Sequence, residues 1–133
     1  MNRWSSLALA LALCSGAASA EWTALGGGDI IYVPYADKAS IRALGANVSM
    51  AGLYDFRRGD LTPEGHPFLS TVVLREYDCG GRRVRLLSYI DFSGPMGGGS
   101  VVTSVKRTGR WEQIVEGALD EGYWQVACGQ QAR

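Results

Sequence analysis

Histidine is nearly absent from this chain: His66 is the single one in 133 residues. A His-based metal site is therefore excluded, and a Ser-His or Cys-His nucleophile pair would have one candidate base, in a loop. Cysteine is scarce, at three residues, and no CxxC or HExxH spacing occurs. Neither sign of charge is in excess, with 13 Lys and Arg against 13 Asp and Glu. That balance lacks the electrostatic footprint of a nucleic-acid partner or of an anionic membrane surface. Beyond residue 20 no apolar run approaches the roughly 20 residues that a membrane helix needs. Glu76 and Asp78 stand two apart on one predicted strand face, but Arg83 and Arg85 follow them. They read as salt-bridged strand residues rather than a carboxylate pair for acid–base work. Gly97-Gly98-Gly99 precedes a strand, so no helix dipole backs it for phosphate. No catalytic residue, cofactor or metal is expected, and no enzyme.

What is present begins with an export signal. Residues 1–20 carry Arg3, the apolar run Leu7 to Leu13 and the small-residue end Ala18-Ser19-Ala20. This is the pattern of a cleaved secretory signal, with residues 21–133 as a single domain. Cys14 raises a lipid anchor, but Leu13 stands where lipoprotein signals want Gly, Ala or Ser, which argues against it. The mature chain is then exported, to the periplasm or the outer-membrane surface, without a membrane span. In an oxidising compartment the two remaining cysteines, Cys79 and Cys128, most simply form one disulfide; two free buried thiols are the alternative.

The densest structural signal is Glu76-Tyr-Asp-Cys-Gly-Gly-Arg-Arg-Val-Arg85. Gly80-Gly81 is expected to supply the two positive-φ positions of a tight hairpin turn. Asp78 then faces Arg83 and Glu76 faces Arg85, each pair contributing roughly 0.2–1 kcal/mol. After a short apolar start over residues 22–25, strands are also predicted over 29–35, 47–56 and 101–107, with the hairpin arms covering 68–79 and 82–92. Residues 37–45 read as a turn, 57–67 as a polar loop, and 94–99 as a mobile glycine-rich connection. From Trp111 the period changes: Val115, Ala118, Leu119, Tyr123 and Val126 make a helical stripe. These segments indicate an α+β domain, an antiparallel sheet of five to six strands with a C-terminal helix packed on one face and pinned by the disulfide.

Simple alternation puts Val73, Tyr77, Val84, Leu86 and Ile90 on the helix side with Cys79. The opposite face mixes Glu76, Asp78, Arg83 and Arg85 with Val72, Leu74, Leu87 and Tyr89. Leu74, Leu87 and Tyr89 are therefore candidate protein-binding residues, for a second copy of the chain (a homodimer) or another protein. An ordinary sheet face with a few exposed apolar residues is the alternative. Arg58-Gly59-Asp60 is the tripeptide that integrins read, set in the predicted loop, and is a second candidate protein-binding site.

The order of these motifs resembles a known family. Trp22, Ile31-Tyr32, Asp37, Ser40-Ile41-Arg42 and Leu53-Tyr54-Asp55-Phe56 precede Glu76-Tyr77-Asp78-Cys79 and Arg83 to Ser88. Met96-Gly97, Gly99 to Val102, Trp111 and Ala127-Cys128 follow. The pattern is similar to the surface-adhesin protein E family of Gram-negative bacteria. The resemblance implies an antiparallel sheet with a disulfide-tied C-terminal helix. It also implies a non-enzymatic surface protein that binds host matrix or serum proteins such as vitronectin, laminin and plasminogen. A periplasmic accessory protein that binds another envelope protein is the alternative. A small inhibitor-like protein is a third.

Overall fold

In the computed structural model, which describes residues 20–27 and 29–129, the strands follow one another across an antiparallel sheet in chain order. They are β1 Trp22–Ala24, β2 Tyr32–Leu44, β3 Asn47–Leu61, β4 Pro67–Asp78, β5 Arg83–Phe92 and β6 Val101–Lys106. A short seventh, β7 Glu112–Gln113, pairs with the start of β5. The helix α1, Leu119–Gly129, packs on one face, so the expected α+β architecture is present with one short strand more. Met1 to Ser19, which hold Cys14 and nearly all of the expected signal, lie outside the described residues.

β2 and β3 run longer than alternation suggests because side chains carry them through irregular stretches. At residues 37–45, expected to be a turn, Ala39 N–H donates to Asp37 Oδ1 and Ser40 Oγ donates to the Asp37 carbonyl. Ser40 Oγ in turn accepts Ala51 N–H, so the extra residues bulge out and the strand resumes at Arg42↔Ser49. The turn itself is Gly45-Ala46, between the paired Leu44 and Asn47. β3 likewise continues past a bulge between Asp55 and Asp60 to Leu61, and the predicted loop over 57–67 shrinks to 62–66.

The β4–β5 hairpin has the predicted register: Glu76↔Arg85, Tyr77↔Val84 and Asp78↔Arg83. Its turn differs. Four residues, 79–82, connect the strands, and the positive φ belongs to Arg82 at 50°, with neither Gly80 nor Gly81 in that region. Tertiary contacts hold Arg82 there: its guanidinium bonds Glu121 at 2.9 Å and lies 4.6 Å over the Trp124 ring. Further along, Arg75 pairs with Leu86 but Leu74 pairs with Ser88, leaving Leu87 as a bulge. That single extra residue exchanges the faces beyond it. Tyr89 pairs with Val73 on the helix side, and Ile90 pairs with Val72 on the other.

The helix begins later than the stripe from Trp111 implies. Glu112–Gln113 are strand, Val115 is exposed, and Gly117 at φ 79° turns the chain before Leu119. Asp120 and Glu121 then occupy the first turn, where carboxylates favour the helix dipole. Residues four apart, Leu119, Tyr123 and Ala127, with Trp124 and Cys128 beside them, face the sheet. They close a core with Ala36, Val48, Met50, Tyr77, Val84 and Ile114. Tyr123 is wholly buried and lies where a Cβ on Gly52 would come within 2.9 Å of its ring, so only glycine fits beneath it. Cys79 in the turn bonds Cys128 at the helix end, with Cα atoms 5.6 Å apart. Trp124 Nε1 donates to the Asp78 carbonyl at 3.1 Å, tying the same corner a second time.

The connection over 94–99 is held to the outer face rather than free. Ser70 Oγ donates to the Gly94 carbonyl at 2.7 Å and accepts Gly97 N–H at 2.8 Å. Met96 N–H donates to Asp55 Oδ1 at 2.8 Å. Pro95–Gly97 form a 3₁₀ turn that shields Leu53 and Val72.

Candidate functional site

Away from the helix the sheet keeps an open groove of about 730 Å³. Its floor is Leu74 of β4 and Leu87 of β5. Leu87 lies on this face in step with Arg83 and Arg85, and the bulge there exchanges the faces only of the residues beyond it. Leu44 and Gly45, at the β2–β3 turn, form one wall. Lys106, Arg107 and Thr108, at and just past the end of β6, form the other. That second wall is anchored on β5: Arg107 N–H donates to the Leu87 carbonyl at 3.2 Å, and Gly109 N–H to the Leu86 carbonyl at 2.8 Å.

The charges around the groove are unequal in availability. Glu76 is buried and fully engaged: Oε1 accepts Arg85 at 2.8 Å and Oε2 accepts Asn47 Nδ2 at 2.8 Å. Next along the face, Asp78 accepts the Gly81 N–H at 2.9 Å and Arg83 at 2.8 Å. Those two interactions, the backbone bond first, hold the Asp78 carboxyl below its ordinary pKa. Trp111 lies across both arginines, 4.8 Å from Arg83 and 4.4 Å from Arg85. Among the described residues Lys106 and Arg107, both exposed, take part in no ion pair. The groove thus presents apolar side chains and positive charge outside any ion pair among the described residues, with its one carboxylate held by Arg85 and Asn47. Such a surface can seat apolar side chains and attract anions; it holds no free acid–base pair.

The candidates named from the sequence fare differently. Leu74 and Leu87 come together as expected. Tyr89 does not join them, because the Leu87 bulge carries it to the helix side. Arg58, Gly59 and Asp60 lie within β3 rather than in a loop. Arg58 and Asp60 are exposed, Gly59 has φ 76°, and Asp60 Oδ1 accepts the Leu61 N–H at 2.8 Å. Cys79 and Cys128 are bonded. His66 is exposed in the 62–66 loop, its N–H donating to Thr62 Oγ1. Sequence reasoning missed Leu44, Lys106 and Arg107. No local signal marks them, since hairpin curl and β5–β6 pairing bring them together from positions 62 residues apart in the chain. Among the described residues no three His, Cys, Asp or Glu converge, and no helix is long and apolar enough to cross a membrane.

Comparison with known proteins places this architecture. The family model described as surface-adhesin protein E matches residues 22–129. A crystal form of Haemophilus influenzae protein E superposes with a TM-score of 0.64 at 13% identity, covering 75% of this chain and 83% of that one. A second structure of the same protein gives 0.61 at 13% identity, covering 82% and 94%. Protein E from non-typeable Haemophilus influenzae gives 0.58 at 13% identity, covering 86% and 89%. At that identity the superpositions speak for the fold. No functionally curated protein matches the chain by sequence.

Proposed function

This chain belongs to the surface-adhesin protein E family, and on that premise we propose that it is a non-enzymatic exported adhesin. It binds host extracellular-matrix or serum proteins at the bacterial surface through the outer face of its sheet. The observation that carries this reading is the groove over Leu74 and Leu87, an apolar floor left open on the face of a small sheet that the helix does not cover. The Arg58-Gly59-Asp60 tripeptide is a separate, integrin-type contact, and Asp60→Glu would remove it without altering binding at the groove.

Antibody labelling of intact against permeabilised cells tests the location. Labelling of intact cells is expected, together with saturable binding of the purified chain to immobilised laminin or vitronectin. Labelling only after permeabilisation would overturn the surface assignment. It would favour the second reading, a periplasmic accessory protein using the same face for an envelope partner. Leu13, at the position before Cys14, supports that reading, since it disfavours a lipid anchor.

A further inference from the structure

We propose that the outer-face groove takes an extended segment of a partner protein in which acidic residues flank apolar ones. The proposal rests on the protein-binding reading above and specifies the chemistry of what is bound. Three features of the groove set that chemistry. Its floor, Leu74 and Leu87, with Leu44 on the near wall, offers apolar contact at one level. Its far wall carries Lys106 and Arg107, both exposed and in no ion pair among the described residues. Its single carboxylate, Glu76, has both oxygens occupied by Arg85 and Asn47 and is buried, so it neither neutralises that wall nor repels an incoming acid.

A basic partner would meet two uncompensated cations. A purely polar acidic partner would leave the leucines in water. An extended segment satisfies both where its apolar side chains meet the floor and the acidic residues flanking them pass the far wall. The open, shallow shape suits a protein segment rather than an enclosed small molecule.

The test uses the oxidised, exported chain and three labelled hexapeptides followed by fluorescence anisotropy: alternating Glu and Leu, alternating Lys and Leu, and alternating Glu and Ser. The Glu-Leu peptide is expected to bind about tenfold or more tightly than either control, and to weaken as salt rises. K106E/R107E, whose side chains are exposed, should keep the melting temperature and invert the preference toward Lys-Leu. Equal binding of Glu-Leu and Lys-Leu, or an unchanged preference in K106E/R107E, would overturn the proposal. So would binding to anionic phospholipid vesicles without binding to the Glu-Leu peptide, which assigns the basic wall to a lipid surface. A chain that is dimeric with the groove closed, inert to all three peptides, would overturn it as well. If L74E/L87E loses laminin binding while K106E/R107E keeps it, the protein-binding reading stands and the charge assignment falls; if neither loses it, both fall.

Discussion

The two faces of this sheet are built from the same alternating strands and do opposite things. On the helix face apolar and aromatic groups exclude water: Tyr54 meets Tyr32 at 4.9 Å and Tyr123 at 6.2 Å, and the largely enclosed Arg75 guanidinium lies over the Tyr54 and Tyr123 rings. On the outer face two arginines also stack on an aromatic, Trp111, but each is held by its own carboxylate, and Lys106 and Arg107, in no ion pair among the described residues, stand beside the half-buried Leu74 and Leu87. The inner face is closed by one helix fixed at both a disulfide and a tryptophan hydrogen bond. On the outer face the Pro95–Gly97 turn covers Leu53 and Val72 at one end, and Trp111 lies over the arginines of β5. The helix face thus carries the larger apolar cluster, and the outer face keeps an open groove.

The contrast is broken most severely by removing the disulfide. Replacing Cys79 and Cys128 with serine frees a crosslink spanning 49 residues, and unfolding stability should fall by roughly 4 kcal/mol in urea titrations, since the unfolded chain regains that loop entropy. Gly52→Ala probes the same face without touching the crosslink. Its new Cβ would meet the Tyr123 ring at 2.9 Å, and the expected loss is about 1–3 kcal/mol by the same measurement.

Alkaline pH gives a milder test. Burial pushes the Tyr77 and Tyr123 hydroxyls above their ordinary value, so the folded chain keeps protons that the unfolded chain has released. That contribution is fully present below the unfolded phenol value of about 10 and is lost as pH rises beyond it. Urea midpoints should therefore be insensitive to these groups from neutral pH to about 9 and decline above about 10, with Tyr123→Phe reducing the decline. A midpoint unchanged past that window would show that the inner face admits water.

How much of this was legible follows physical lines. The hairpin register could be read because two opposite-charge pairs agree on it, and Glu76–Arg85 and Asp78–Arg83 form at 2.8 Å. The disulfide followed from cysteine count and compartment. Conformations set by distant contacts could not be read. Arg82 adopts a positive φ because Glu121 and Trp124 hold it, although two glycines stand adjacent. The Leu87 bulge moves Tyr89 off the groove face with no residue in the local pattern to announce it. The glycine-rich stretch at 94–99 looked loose because its partners, Ser70 and Asp55, lie more than twenty residues earlier. For the same reason half of the groove was visible, Leu74 and Leu87, and half was not.

The most direct test of the two-face account pairs two variants and two readouts: L74E/L87E on the outer face, G52A on the inner, each assayed for laminin binding and for urea stability. The account predicts that L74E/L87E loses binding while stability changes by less than about 1 kcal/mol, these side chains being already half-exposed. It predicts that G52A, while still folded, keeps binding and loses stability. If L74E/L87E instead unfolds the chain as G52A does, or binds laminin as the unmodified chain does, the division of labour between the faces is contradicted.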